Sequence, residues 1–203
     1  MTSAIALLPE KKKVSLPKIY TLEEYLDREE KGLHKHTYYK GKIKLMPGGT
    51  GNHGTITMSA GYAIYLAIDN ANKNFTPLSS DMKIYIPSID RTFYPDLFIV
   101  SDEIKYWNEA QTLAINPLLI VEVASKSTRQ FDRTEKFEFY QLLPSFREYV
   151  LIEQNKPHVE SWFKNENGIW EKQVVKDLSQ TIHLKSIDEH IPLSRIYKNI
   201  KFK

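Results

Sequence analysis

Cysteine is absent from the 203-residue chain, which excludes disulfide bonds, thiolate metal sites and a cysteine nucleophile. This absence is typical of proteins of the reducing cytoplasm, where we expect the protein to act. Long apolar runs are also missing, and none approaches the roughly 18 residues needed to span a bilayer, so we expect no membrane partner. The net charge of +3 permits contact with a polyanion without requiring it.

The first 18 residues contain a short apolar patch followed by Lys11-Lys12-Lys13. In a signal peptide the basic residues precede the apolar run, so this order is a poor match. We therefore interpret residues 1–18 as a flexible arm, whose lysines are more often solvated than in contact with a phosphate backbone. Residues 19–203 are predicted to form a single domain, because no repeat or low-complexity tract divides them.

Capping and periodicity signals predict the helices. Residues 21–24 and residues 132–135 both match the capping box, and predict helices that run to about Arg28 and Leu143. A longer helix is predicted over residues 53–70, where apolar side chains recur at helical spacing.

Apolar runs bounded by turn-forming residues predict the strands. The predicted strands cover residues 38–46 with a turn at Lys40-Gly41 near the start, and residues 81–86, 93–100, 118–124, 148–153, 158–163 and 169–175. The residues after Val175 are predicted to be a polar, weakly helical tail.

Two carboxylates lie inside apolar runs, where a carboxylate is costly. Asp96 lies in the run 93–100, and Glu122 lies in the run 118–124. Desolvating an acid is expensive unless a partner or a metal ion compensates. Two acids on neighbouring core strands therefore suggest a shared divalent cation, Mg²⁺ or Mn²⁺, that can orient a phosphate. Hydrolysis of a phosphodiester also needs a positive group near the transition state, usually a lysine.

The sequence around these acids resembles a known nuclease pattern. Tyr94-Pro95-Asp96, followed by Val121-Glu122-Val123, is similar to the core of PD-(D/E)xK nucleases. A wider resemblance, over roughly residues 20–190, is to the Uma2 family (DUF820) of restriction-endonuclease-like proteins. It is carried by residues 38–43, Met46, His53, residues 80–82, 121–128 and 132–136, Tyr140 and residues 144–152.

The resemblance implies an α/β, restriction-endonuclease-like fold, with a central mixed sheet flanked by helices and with additional C-terminal strands. It also implies an Mg²⁺-dependent endonuclease that acts on DNA, with Asp96 and Glu122 as metal ligands. Because cutting both strands needs two sites, we expect a homodimer.

Two positions depart from the pattern. The motif places a lysine two residues after Glu122, but Ala124 stands there. The resemblance suggests that Lys136 on the following helix replaces it, and Lys126 is the rival. Many relatives carry a glutamate where this chain has Thr37, so the resemblance implies that either one metal contact or a group that supports a metal ligand is missing here.

Several alternatives stay open at this point. His53 either contacts a phosphate or acts as a general acid or base, or it is a capping or core histidine. For Asp132 we predict a helix cap in the first place, and a partner of an arginine or lysine in the second. Two other function classes compete with the nuclease: a catalytically silent nuclease fold that binds nucleic acid, and a structural protein in which Asp96, Glu122 and Lys136 form a buried ion cluster.

Overall fold

The structure, a computed structural model, describes residues 18–125 and 128–202. The predicted arm, apart from Lys18, and the rival Lys126 lie outside the described residues. The first half of the chain contains α1 (Leu22–Lys31), β1 (His36–Tyr39), β2 (Lys42–Leu45), α2 (Gly51–Asn70), β3 (Phe75–Ser79), β4 (Lys83–Ile86), a 3₁₀ turn (Pro87–Ile89), β5 (Arg91–Phe93) and β6 (Leu97–Ser101). The second half contains β7 (Leu113–Ala114), β8 (Leu119–Ala124), α3 (Arg129–Arg133), α4 (Glu135–Tyr140), β9 (Glu148–Glu153), β10 (Val159–Lys164), β11 (Trp170–Val175), β12 (Thr181–Leu184), β13 (Glu189–Pro192) and α5 (Leu193–Ile196).

A six-stranded sheet with the order β11-β10-β9-β8-β6-β3 forms the centre of the fold. β8 and β9 are parallel and the other neighbours are antiparallel, so the sheet is mixed. Because side chains alternate along β8, Val121 and Val123 pack on the side of α2, whereas Ile120 and Ala124 pack on the side of α4. The predicted fold, a central mixed sheet flanked by helices, is confirmed.

A second sheet with the order β2-β1-β5-β4-β7 lies beside the first. Its β1 and β2 form a hairpin, with Lys40 and Gly41 at φ angles of 45° and 81°. Two consecutive positive φ angles are typical of the type I′ turn, which matches the twist of paired strands. The predicted turn at Lys40-Gly41 is confirmed, but the expectation of a single strand over residues 38–46 is wrong, because the turn divides the segment into two strands.

The two predicted capping boxes have different outcomes. The box at Thr21 is confirmed, with Thr21 and Glu24 each bonded to the other's backbone N–H. The box at Asp132 is wrong, since Asp132 lies inside α3 and the helix is interrupted at Thr134. The buried carboxylate of Asp132 lies 3.7 Å from Lys136 Nζ instead of capping a backbone N–H.

The predicted helical tail is instead a third, two-stranded sheet and a short helix. Apolar side chains of β12, β13 and α5, including Ile182, Ile191 and Leu193, belong to the same core as α2. The buried carboxylate of Glu148 fixes this region, because it accepts hydrogen bonds from the backbone N–H groups of Lys185 and Ser186. Long-range packing of alternating apolar residues outweighs the polar composition of the segment.

None of the helices in the described parts of the chain combines the length and the apolar character needed to cross a membrane.

Candidate active site

The two candidate carboxylates lie beside each other at the central sheet, Asp96 just before β6 and Glu122 within β8. β6 and β8 are antiparallel, and Leu97 pairs with Val121. The next position of this register places Asp96 opposite Glu122. The structure thus brings together two acids that are 26 positions apart in the chain.

Asp96 lies at the turn between β5 and β6, just before the strand in which we expected it. Its Oδ2 accepts a hydrogen bond from the backbone N–H of Val123 at 2.7 Å and lies 3.2 Å from His53 Nε2. Its Oδ1 accepts no hydrogen bond from the described residues. The side chain is 15% exposed, so it is largely but not completely shielded from solvent.

His53 belongs to the first turn of α2 and does not cap the helix. The cap is Thr50, whose hydroxyl accepts the N–H of His53 and also donates to Gln154 at 2.6 Å. The bond to Asp96 raises the pKa of His53, although burial acts in the opposite direction. The charged imidazolium is therefore favoured at the site, where it can donate a proton.

Lys136 reaches Glu122 from α4. Its Nζ lies 2.7 Å from Glu122 Oε1, and only 12% of its side chain is exposed. The hydroxyl of Tyr140 donates to the same carboxylate oxygen at 3.0 Å. We did not predict this bond, but the sequence carries a signal for it: Lys136 and Tyr140 are four residues apart on α4 and so share one helical face.

A second ion cluster anchors α3 next to this site. Arg129 lies 2.5 Å from Glu153 on β9, and Arg133 contacts both Glu153 and Glu160. These bonds join α3 to two strands of the central sheet. They fix the chain direction that brings Asp132 and Lys136 to Glu122.

Thr37, one of the two positions that depart from the nuclease pattern, belongs to β1. It lies on the side of the second sheet that faces the site. Tyr39 pairs with Arg91, and continuing this antiparallel register brings Thr37 level with Phe93. The ring centre of Phe93 is 5.8 Å from Lys136 Nζ. A residue at position 37 therefore lies near the site, and threonine there supplies a hydroxyl in place of a carboxylate.

Burial favours the neutral form of Glu122 and raises its pKa to about 8, although the charge of Lys136 acts in the opposite direction. Burial also opposes the charged form of Lys136, but Glu122 and Asp132 outweigh it and raise its pKa. Between about pH 4.5 and pH 8, the folded protein therefore keeps a proton on Glu122, whereas the unfolded chain has released it.

We therefore expect the metal-free protein to lose stability between about pH 4.5 and pH 8, in a range set by the two pKa values of Glu122. The contribution of Glu122 is present below the lower value and is lost as the pH rises through the upper one. A loss of roughly 3–5 kcal/mol is expected from the size of the shift. Urea unfolding in EDTA across this range measures the free energy of unfolding as a function of pH. Glu122→Gln, whose side chain cannot ionise, is expected to lack the part of this pH dependence that comes from Glu122. An equal slope in both proteins would contradict the assignment.

The oxygen donors of the site suit a hard divalent cation. Asp96 Oδ1 and Glu122 Oε2 accept no hydrogen bond from the described residues, and both belong to ligand types that Mg²⁺ prefers. Within residues 18–125 and 128–202, no group of three or more His, Cys, Asp or Glu side chains is arranged to hold a metal ion. Mg²⁺ commonly uses one or two carboxylates and keeps several waters, so a two-carboxylate site fits this ion.

Comparison with known proteins agrees with the fold. Residues 22–191 match the Uma2 family, which is described as "Putative restriction endonuclease". Two Synechocystis proteins are similar in sequence: sll1609 is 34% identical over 157 residues, 77% of this chain and 88% of that protein, and slr1290 is 30% identical over 180 residues, 89% and 92% of the two chains. A crystal structure described as a "putative nuclease belonging to DUF820" from Anabaena variabilis has a TM-score of 0.66 at 17% identity, covering 88% of this chain and 97% of its own. The match over most of the chain shows that this protein belongs to the Uma2 family of restriction-endonuclease-like proteins.

Proposed function

We propose that the protein is an endonuclease that hydrolyses DNA phosphodiester bonds with the help of a divalent cation. One observation carries the proposal: Asp96, just before β6, lies opposite Glu122 in β8, and Lys136 Nζ lies 2.7 Å from Glu122. Acid, acid and lysine are the groups that this chemistry requires. Membership of the Uma2 family supports the same class of function.

Asp96 and Glu122 would hold Mg²⁺ or Mn²⁺. When bound, the cation supplies positive charge at the phosphate and makes a water molecule more acidic. The positive charge beside Glu122 also favours the ionised carboxylate, in opposition to the burial that raises its pKa.

Lys136 provides the positive group that the pattern requires near the phosphate. Its bonds to Glu122 and Asp132 fix the position of Nζ, so little reorganisation is needed when charge develops in the transition state. The bond with Asp96 raises the pKa of His53, and the protonated imidazole can donate a proton to the leaving oxygen or contact a phosphate oxygen.

Cleavage assays test the proposal directly. Purified protein is incubated with supercoiled plasmid, linear duplex and single-stranded DNA in Mg²⁺, in Mn²⁺ and in EDTA. We expect cutting with either metal and none in EDTA. Binding without cutting under all conditions would contradict the nuclease and favour the silent nucleic-acid-binding alternative. The homodimer and the cytoplasmic location remain predictions.

A further inference from the structure

The charge of the chain is unevenly distributed around the candidate site. Residues 31–68 contain five lysines and three histidines, and no aspartate or glutamate. This segment forms the β1–β2 hairpin and most of α2, the helix that carries His53. The hairpin and the part of α2 that carries His53 therefore come from a stretch of chain without any negative side chain.

The register of the hairpin places its cations on the side of the sheet that faces the site. Lys44 pairs with Thr37 and Lys42 pairs with Tyr39, so these four side chains share one face. The Arg91 guanidinium continues this face, since it lies 4.7 Å from the ring centre of Tyr39. It also lies 4.6 Å from the ring of Phe93, which neighbours Lys136.

The hairpin cations are exposed and unneutralised. Lys42 and Lys44 are exposed, and neither has a carboxylate within 4.0 Å among the described residues. Lys44 lies two strand spacings, roughly 10 Å, from Phe93 across the sheet. Phosphates of one strand are spaced about 3.4 Å along the axis, so this distance corresponds to about three nucleotides. Burial lowers the pKa of Arg91, and Glu135 at the start of α4 acts in the opposite direction.

We propose that this face, formed by Tyr39, Lys42, Lys44 and Arg91 and here named the hairpin track, holds the phosphate backbone of a nucleic acid beside the site. Separated cations on a strand surface suit a regularly spaced polyanion, and the half-exposed Tyr39 ring offers a surface for base stacking. The inference rests on the proposed function for its substrate class. It adds where the substrate lies: across β2, β1 and β5, on a line that leads to Lys136.

Salt-dependent binding tests the hairpin track independently of cleavage. Fluorescence anisotropy in EDTA measures the affinity of duplex and of single-stranded DNA for the wild type and for Lys42→Gln/Lys44→Gln. The matched control is Lys176→Gln/Lys198→Gln, which removes two exposed lysines outside the hairpin. We expect the slope of log K against log salt to fall by about 1.8 for duplex or 1.4 for single strands in the hairpin variant only. Between about 50 and 200 mM salt the wild type would then lose about tenfold more affinity than the hairpin variant.

The outcomes separate the two proposals. Equal slopes in the hairpin variant and in the control would overturn the hairpin track, even if the wild type cuts DNA. A wild type that binds but never cuts, with a reduced slope in the hairpin variant alone, would support the track and contradict the nuclease. No binding of either DNA by the wild type would overturn the track, and cutting in the separate assay would then decide the nuclease.

Discussion

Replacing Asp96 by asparagine is expected to reduce metal-dependent DNA cleavage by roughly 10³-fold. The carboxylate is one of the two proposed ligands of the cation, and such a cation stabilises transition-state charge by several kcal/mol. About 4 kcal/mol corresponds to three orders of magnitude in rate. Asparagine keeps the shape of the side chain, and its amide oxygen can still accept the Val123 N–H, so the fold should be retained.

Three measurements make this prediction specific. The cleavage rate is compared with that of Asp81→Asn, a matched control in which the acid is exposed and paired with Lys35 on the surface. Thermal unfolding checks that both variants fold. NMR titration should show a lower pKa for His53 in Asp96→Asn, because the carboxylate that raises it is gone. Cleavage at the wild-type rate by a folded Asp96→Asn would refute the site assignment.

Replacing Lys136 by methionine is expected to affect both activity and stability. Cleavage should fall by about 10²–10³-fold, the range seen when one stabilising group is removed from a transition state. Above pH 8, where Glu122 is ionised, the free energy of unfolding should fall by roughly 3–5 kcal/mol, because breaking a buried pair leaves the partner charge uncompensated. The structure supports this size of effect, since Lys136 is largely buried between Glu122 and Asp132.

A double variant separates the two effects. In Lys136→Met/Glu122→Gln the buried ammonium and the carboxylate that pairs with it above pH 8 are both removed, so much of the stability should return while cleavage stays at least as low as in Lys136→Met. Lys156→Met, at an exposed lysine, is the matched control and should leave both quantities near those of the wild type. If Lys136→Met cuts DNA normally, another cation serves the reaction. If replacing Asp96, Glu122 and Lys136 together by apolar residues of similar volume costs no stability and the wild type binds no metal, the structural ion cluster is the better account.

Much of the fold follows from patterns within short stretches of the sequence. The apolar run around Glu122 predicted a core strand, the spacing of Ile56, Ala60 and Ile64 predicted the buried face of α2, and Thr21 with Glu24 predicted the start of α1. These signals are local, because side-chain alternation and helical periodicity depend on neighbours within a few residues. The second capping box failed for the same reason. Its residues fit the local pattern, but the carboxylate of Asp132 lies beside a lysine in the buried cluster.

The sequence by itself determined which side chains are costly to bury, and therefore that Asp96 and Glu122 needed partners. Only the tertiary structure decided which partners they have. Antiparallel pairing of β6 with β8 sets the acids opposite each other, and the ion pairs of α3 bring Lys136 to Glu122. The position of the hairpin track on the same side as Lys136 likewise depends on the register between β1 and β5. Strand register and helix packing join residues that are far apart in the chain, and a short stretch of sequence carries no signal for either.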